Sequence, residues 1–245
     1  MKAINFLKID RKNREFINSI NSLISKEMKK KKIDLNKLSS AQLSKAIYKL
    51  QNLINKRYNP EYFFKRNKKI FFKLFKNRNF SIQHYFYLRV VKPYQSKNLK
   101  PIDFHRETFQ GPPFYKYLYN LWIPLKNCSR ENALKYYNNS HTFKRFKDFD
   151  FVEKNTEVQK GSYSHKTGNL YKIKSLRFKK KVSLKRLFKK NNFIIFSGEV
   201  IHGSATNCTK NIRMSLDARF MLKKRMLNNP KQGATGKNYF KIINV

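Results

Sequence analysis

The sequence predicts a mainly β chain backed by N-terminal helices. Residues 1–79 carry apolar side chains at helical spacing. From about residue 80 the texture changes to short runs rich in Val, Ile, Tyr and Phe. Polar connections separate those runs, a pattern that suits a sandwich or barrel. The chain has 245 residues, 40% of them hydrophobic and 15% aromatic. That is enough for one large domain with a sizeable core, or a core domain with an appendage.

In the helical part, "REFINSINSLISKEM" puts Phe16, Ile17, Ile20, Leu23 and Ile24 on one face. "SSAQLSKAIYKLQNLINKRY" starts with Ser39 or Ser40 as a cap and carries Leu43, Ile47, Leu50 and Leu53. "KKIFFKLFKN" is a short amphipathic stretch; packing on the core competes there with a role on an anionic surface. In the β part, "FSIQHYFYLRVVK", "DFHRETF" and "LYNLWIPL" read as strands, and "ENALKYYNNSH" as a strand entering a turn. Residues 144–192 are basic and weakly patterned, so long loops with an inserted strand or two are expected. "FIIFSGEVIHGS" and "RMSLDARFML" close the β region over 80–222, and residues 223–245 form an extension rich in turn residues.

The chain carries 56 Lys+Arg against 14 Asp+Glu, a net charge of +42. Such an excess attracts phosphates, nucleic acid or an anionic surface. Its lysines are scattered, however, and no nucleic-acid motif organises them. The wealth of Lys, Asn, Ile, Phe and Tyr is also what AT-rich codons give. Nucleic acid is therefore not the expected partner. Two cysteines, Cys128 and Cys208, without a C-x-x-C pair argue against a disulfide framework or a structural zinc site. No stretch approaches 18 apolar residues and no signal-peptide core opens the chain, so a cytoplasmic protein without a membrane span is expected.

Candidate chemistry starts at "DFHRETF". On a strand, His105 and Glu107 share a face while Arg106 points away, and Asp103 competes as the carboxylate. One imidazole from a distant strand, His202, would complete two histidines and a carboxylate around one side of a metal. That set leaves open positions and suits non-haem Fe(II). In "HGSATNCTKNIR", His202 and Arg213 are separated by turn formers, so they read as neighbouring antiparallel strand ends at one opening. After the turn, Arg213, Ser215, Asp217 and Arg219 face one way, and Met214, Leu216, Ala218 and Phe220 the other. A guanidinium beside a hydroxyl suits the far carboxylate of a keto-dicarboxylate whose other end chelates the metal. 2-Oxoglutarate has that chemistry.

These residues resemble the phytanoyl-CoA dioxygenase family of Fe(II)/2-oxoglutarate-dependent oxygenases over roughly residues 80–222. "FHRETFQG" is similar to its metal strand. "YNLWIPLKNCSRENALKYYNNSH" is similar to its tryptophan strand and following turn. "IQHYFYLRV" is similar to the strand that opens the core. "GEVIHGSATNCTKNIRMSLDARF", the most specific patch, is similar to the segment with the second histidine and the 2-oxoglutarate arginine. The resemblance implies a double-stranded β-helix, a cupin-like jelly roll backed by α-helices. It assigns iron to His105, Glu107 and His202, and the far carboxylate of 2-oxoglutarate to Arg213 with Ser204 assisting. It packs Trp122 beside that cosubstrate and gives it a hydrogen bond from Asn120 or Gln83; Ser215 is added from the alternation.

Glu107 stands where the family has Asp, which lengthens the reach by about 1.5 Å. A carboxylate there argues against a halogenase, which leaves that position to halide. The length and the "HRET…YNLWIPL…ENAL…SLDARF" run look like small oxygenases of carbohydrate biosynthesis. The expected activity is hydroxylation or oxidation of a small substrate, anionic or sugar-derived, such as a carbohydrate or nucleotide-linked sugar. It consumes O2 and 2-oxoglutarate and releases succinate and CO2. The competing expectation is a basic jelly-roll protein that binds nucleic acid or anionic surfaces without catalysis.

Overall fold

The computed structural model describes residues 2–93, 104–109, 113–144, 149–155, 170–176, 183–222 and 240–245. Asp103, His165, residues 145–148, 156–169 and 177–182 of the 144–192 stretch, and residues 223–239 lie outside the described residues.

Four helices precede the main β region: α1 (Arg11–Lys30), α2 (Ser40–Arg57), α3 (Pro60–Arg66) and α4 (Lys68–Phe75). Asp10 caps α1, and Ser39 caps α2 in a full capping box with Gln42. Asn59 caps α3, whose first residue is Pro60; this helix has too few turns to show a period in the sequence. Ahead of them runs β1 (Ile4–Lys8), a strand inside the stretch expected to be helical. Its pairing with the distant β9 (Asn192–Ser197) forms it, and such a partner is invisible locally.

The larger sheet has seven strands in the order β1, β9, β4 (Tyr119–Lys126), β11 (Arg213–Leu222), β2 (Asn79–Gln83) and β12 (Phe240–Asn244), with β3 (Tyr87–Val91) also on β11. The three-stranded sheet is ordered β10 (His202–Gly203), β5 (Leu134–Tyr137) and β8 (Leu184–Leu187). β6 (Phe149–Asn155) and β7 (Leu170–Leu176) pair with each other. All of these pairings are antiparallel. The last residues, expected as part of a loose extension, add β12 to the edge at β2.

Strand alternation sorts the core into two layers. Leu121 and Ile123 of β4, Phe193 and Ile195 of β9, and Met214, Leu216, Ala218 and Phe220 of β11 pack under the helices. Trp122, Ile194 and Phe196 face the other way, against Tyr136 and Leu187 of the smaller sheet. On the helical side Phe64 stacks on Phe71 at 3.9 Å between ring centroids and meets Phe80 and Phe220 edge-on. Packing on the core thus accounts for α4.

Buried amides tie the helices to the sheet. Asn13 and Asn67 exchange side-chain hydrogen bonds at 2.8 and 3.0 Å. Asn55 of α2 donates to the Phe86 carbonyl at 2.8 Å and accepts from the Phe86 amide at 2.7 Å; Gln51 accepts from the Leu88 amide at 3.1 Å. By these bonds α2 fixes β3, one wall of the pocket described next.

Candidate metal centre

His105, Glu107 and His202 meet between the two sheets. Each offers one ligand atom, these atoms lie within 4.8 Å of one another, and all three residues are buried. The local geometry differs from the expected strand. His105 makes a single bridge to His202, with backbone bonds of 2.9 and 3.0 Å, and Glu107 then opens a 3-10 turn, Glu107–Phe109. The turn brings Glu107 beside His105, and Arg106 points away as alternation predicted. Arg106 binds the carbonyls of Ser140 and Phe143 and pairs with Glu199 at 3.4 Å.

The ring of His202 is oriented before any ligand arrives. Its Nδ1 lies 2.9 Å from the Val200 carbonyl, so Nδ1 carries the proton and Nε2 turns a lone pair toward Glu107 Oε1, 3.8 Å away. Burial pulls His202 below its ordinary pKa, although Glu107 opposes this, so a neutral imidazole is favoured. Burial alone would raise Glu107; the positive surroundings, Arg219 foremost, outweigh it and lower Glu107 instead. The site therefore offers neutral imidazole and ionised carboxylate, the forms that ligate metal.

Glu107 also needs Gly198. The Glu107 amide donates to the Gly198 carbonyl at 3.0 Å. A Cβ on Gly198 would stand 3.2 Å from both Glu107 Cβ and the Tyr115 carbonyl oxygen. No sequence pattern announces this close approach, because the two residues are 91 positions apart.

His202 and Arg213 are not neighbouring strand ends. β10 belongs to the three-stranded sheet and β11 to the seven-stranded sheet, so the segment between them crosses from one to the other. Asn207, 1% exposed, holds that crossing: it donates to the Val91 and Asn211 carbonyls at 3.0 and 2.7 Å and accepts from Thr209 Oγ1 at 2.7 Å. The two residues still face one pocket, from opposite walls.

The alternation of β11 holds: Arg213, Ser215, Asp217 and Arg219 all line that pocket. Arg213 is 1% exposed, and among the described residues its Nε and Nη1 have no hydrogen-bond partner; nor do Ser215 Oγ, Asn120 Nδ2 and Trp122 Nε1. Burial pulls Arg213 below its ordinary pKa, with Cys128 and Asp217 opposing. Unpaired buried donors are costly, and these collect on one face. Ser204 lines the pocket half-buried. Gln83 lines it too, but its Oε1 accepts from the Arg219 amide at 2.7 Å, so that oxygen serves the sheet. His141 is exposed and outside the pocket lining. Sequence reasoning gave no role to Arg219, whose Nη2 lies 2.7 Å from Glu107 Oε2, nor to Arg89, paired to Asp217 at 2.7 Å.

No family model matches the chain, and no curated protein matches its sequence. Among solved structures, it is similar to SnoK, a non-heme alpha ketoglutarate dependent carbocyclase from nogalamycin biosynthesis. The TM-score is 0.50 at 11% identity, over 99% of this chain and 92% of that one. AviO1 from Streptomyces viridochromogenes Tue57 gives 0.49 at 10% identity, over 90% of each chain. The likeness to SnoK shows the fold: antiparallel β-sheets with accompanying helices. Among the described residues, no helix is long and apolar enough to cross a membrane.

Proposed function

We propose that this chain is a cytoplasmic Fe(II)/2-oxoglutarate-dependent dioxygenase, related to the phytanoyl-CoA dioxygenase family. Its catalytic core is a double-stranded β-helix over residues 80–222, backed by residues 1–79. One observation carries the reading. The pocket that holds the His105, Glu107 and His202 ligand atoms also holds buried Arg213 and Ser215, with polar atoms that have no partner among the described residues. Two histidines and a carboxylate leave room for a chelating cosubstrate. 2-Oxoglutarate presents only acceptor oxygens, which match the orphaned donors.

When bound, iron(II) with 2-oxoglutarate supplies the oxidation of a substrate C–H bond by O2, with release of succinate and CO2. The chain's residues position and shelter that chemistry. His105, Glu107 and His202 would hold the ion through ligand atoms that all lie within 4.8 Å of one another. Arg213 and Ser215 receive the far carboxylate, with Ser204 beside them. Asn120 donates from Nδ2 and Trp122 packs alongside. Phe196, edge-on to His202 at 4.8 Å, and Trp122 exclude water from the ligand side. The outer lining, with Arg89, Lys92, Tyr48 and Tyr87, supports a small anionic or sugar-derived substrate.

The test is turnover of purified protein with Fe(II), 2-oxoglutarate and O2 against a panel of sugars and sugar phosphates. Succinate formation matched by O2 uptake, and lost in His202→Ala, supports the reading. No iron-dependent succinate with any substrate or without one sinks it.

A further inference from the structure

We propose that Arg219 is a positioning residue that occupies one oxygen of Glu107, so that the other alone is presented to the histidine pair. This rests on the metal reading above and adds a residue that the ligand set does not contain. Glu107 Oε2 lies 2.7 Å from Arg219 Nη2, while Oε1 is the oxygen that faces His202 Nε2 at 3.8 Å. The contact is a close ion pair without hydrogen-bond alignment. A cation at that distance still blocks Oε2 from a second, equally close cation.

Both ends of the pair are held. The Glu107 side chain is 3% exposed, and its backbone and stem press on Gly198. The Arg219 backbone is fixed in β11 by pairing with Asn120 and by the 2.7 Å bond from its amide to Gln83 Oε1. Two of the other charged groups of β11 and β3 in the pocket, Arg89 and Asp217, pair with each other at 2.7 Å. The extra methylene of glutamate gives this arrangement its reach. The carboxylate spans from the histidines to the guanidinium, which an aspartate on the same backbone is about 1.5 Å too short to do. The atypical glutamate and Arg219 thus form one unit. Ligation through Oε1 alone keeps a further metal position open for the chelating cosubstrate.

The test uses the full chain and Co(II) alone, without cosubstrate. Binding is followed by the visible absorption of the bound ion, and Co(II)-loaded crystals show the carboxylate. Arg219→Met is expected to weaken Co(II) about 10- to 100-fold. Arg219→Lys, which keeps a cation against Oε2, recovers most of that. In the Glu107→Asp background, where the pair is already broken, Arg219→Met has a much smaller effect. Equal Co(II) affinity in wild type and Arg219→Met overturns the inference, as does a lysine variant no better than the methionine one. Wild-type crystals need no stable variant: Oε1 on Co(II) with Oε2 on Arg219 supports the assignment, and both oxygens on Co(II) overturns it. Absence of Co(II) binding in the wild type, or unchanged binding in His202→Ala, removes the metal reading and this inference with it.

Discussion

The two faces of the seven-stranded sheet are built from alternate residues of the same strands, yet they differ in kind. Under the helices, β11 presents Met214, Leu216, Ala218 and Phe220, and the buried amides Asn13, Asn67 and Asn55 have partners. On the pocket side the same strand presents Arg213 and Ser215, with buried polar atoms that have no hydrogen-bond partner among the described residues. One face lowers the free energy of the fold. The other leaves buried donors without a partner among the described residues, which costs some of that stability.

Substitutions sharpen that contrast. On the helical face, Phe64→Ala removes a fully buried ring from the aromatic cluster. It is expected to cost about 3–5 kcal/mol in denaturant unfolding while leaving 2-oxoglutarate affinity in the folded protein unchanged. Asn207→Ala, at the crossing between sheets, strands the donors and acceptors it satisfied and is expected to cost about 1–3 kcal/mol. It should also weaken cosubstrate binding, because that segment sets Arg213 against His202.

Acidification distinguishes the faces next. His202 sits below its usual 6.5, pushed there by burial. As pH falls past 6.5 the unfolded chain takes up this proton before the folded one does. The stability is present above 6.5 and is lost as pH falls toward the lowered native value. Glu107 adds a second loss of the same sign below its usual 4.5. The melting temperature of the metal-free chain should therefore fall from pH 7.5 to 5.5. His202→Asn should flatten that slope, and an unchanged slope in the variant breaks the assignment. The smallest effect is on the pocket face: Arg213→Met is expected to change stability by less than about 1 kcal/mol, or to stabilise, because it removes a buried charge that has no ion-pair partner among the described residues.

Legibility in the sequence follows the same division. Short-range patterns revealed the helical faces, a serine cap at 39 or 40 that the structure puts on Ser39, and the sorting of Arg213, Ser215, Asp217 and Arg219 from their apolar neighbours. The donor types for a metal site were legible too, although the strand assumed for His105 and Glu107 is a bridge followed by a 3-10 turn. What stayed hidden depends on partners far along the chain. β1 exists because β9 pairs with it; Gly198 is a glycine because Glu107 lies against it; Arg219 matters because its guanidinium reaches that same carboxylate. Turn formers between His202 and Arg213 revealed a reversal but not that it changes sheets, since a sequence carries no sign of which sheet receives the next strand.

In the proposed site, one pocket joins a metal triad to a carboxylate-binding arginine. The most direct test is 2-oxoglutarate binding to the Fe(II)-loaded chain without O2, in wild type and Arg213→Ala. Saturable, iron-dependent binding that weakens at least about 30-fold in the variant is the predicted result, as expected for loss of a buried charge partner. Equal affinity of the two proteins for 2-oxoglutarate would contradict the account.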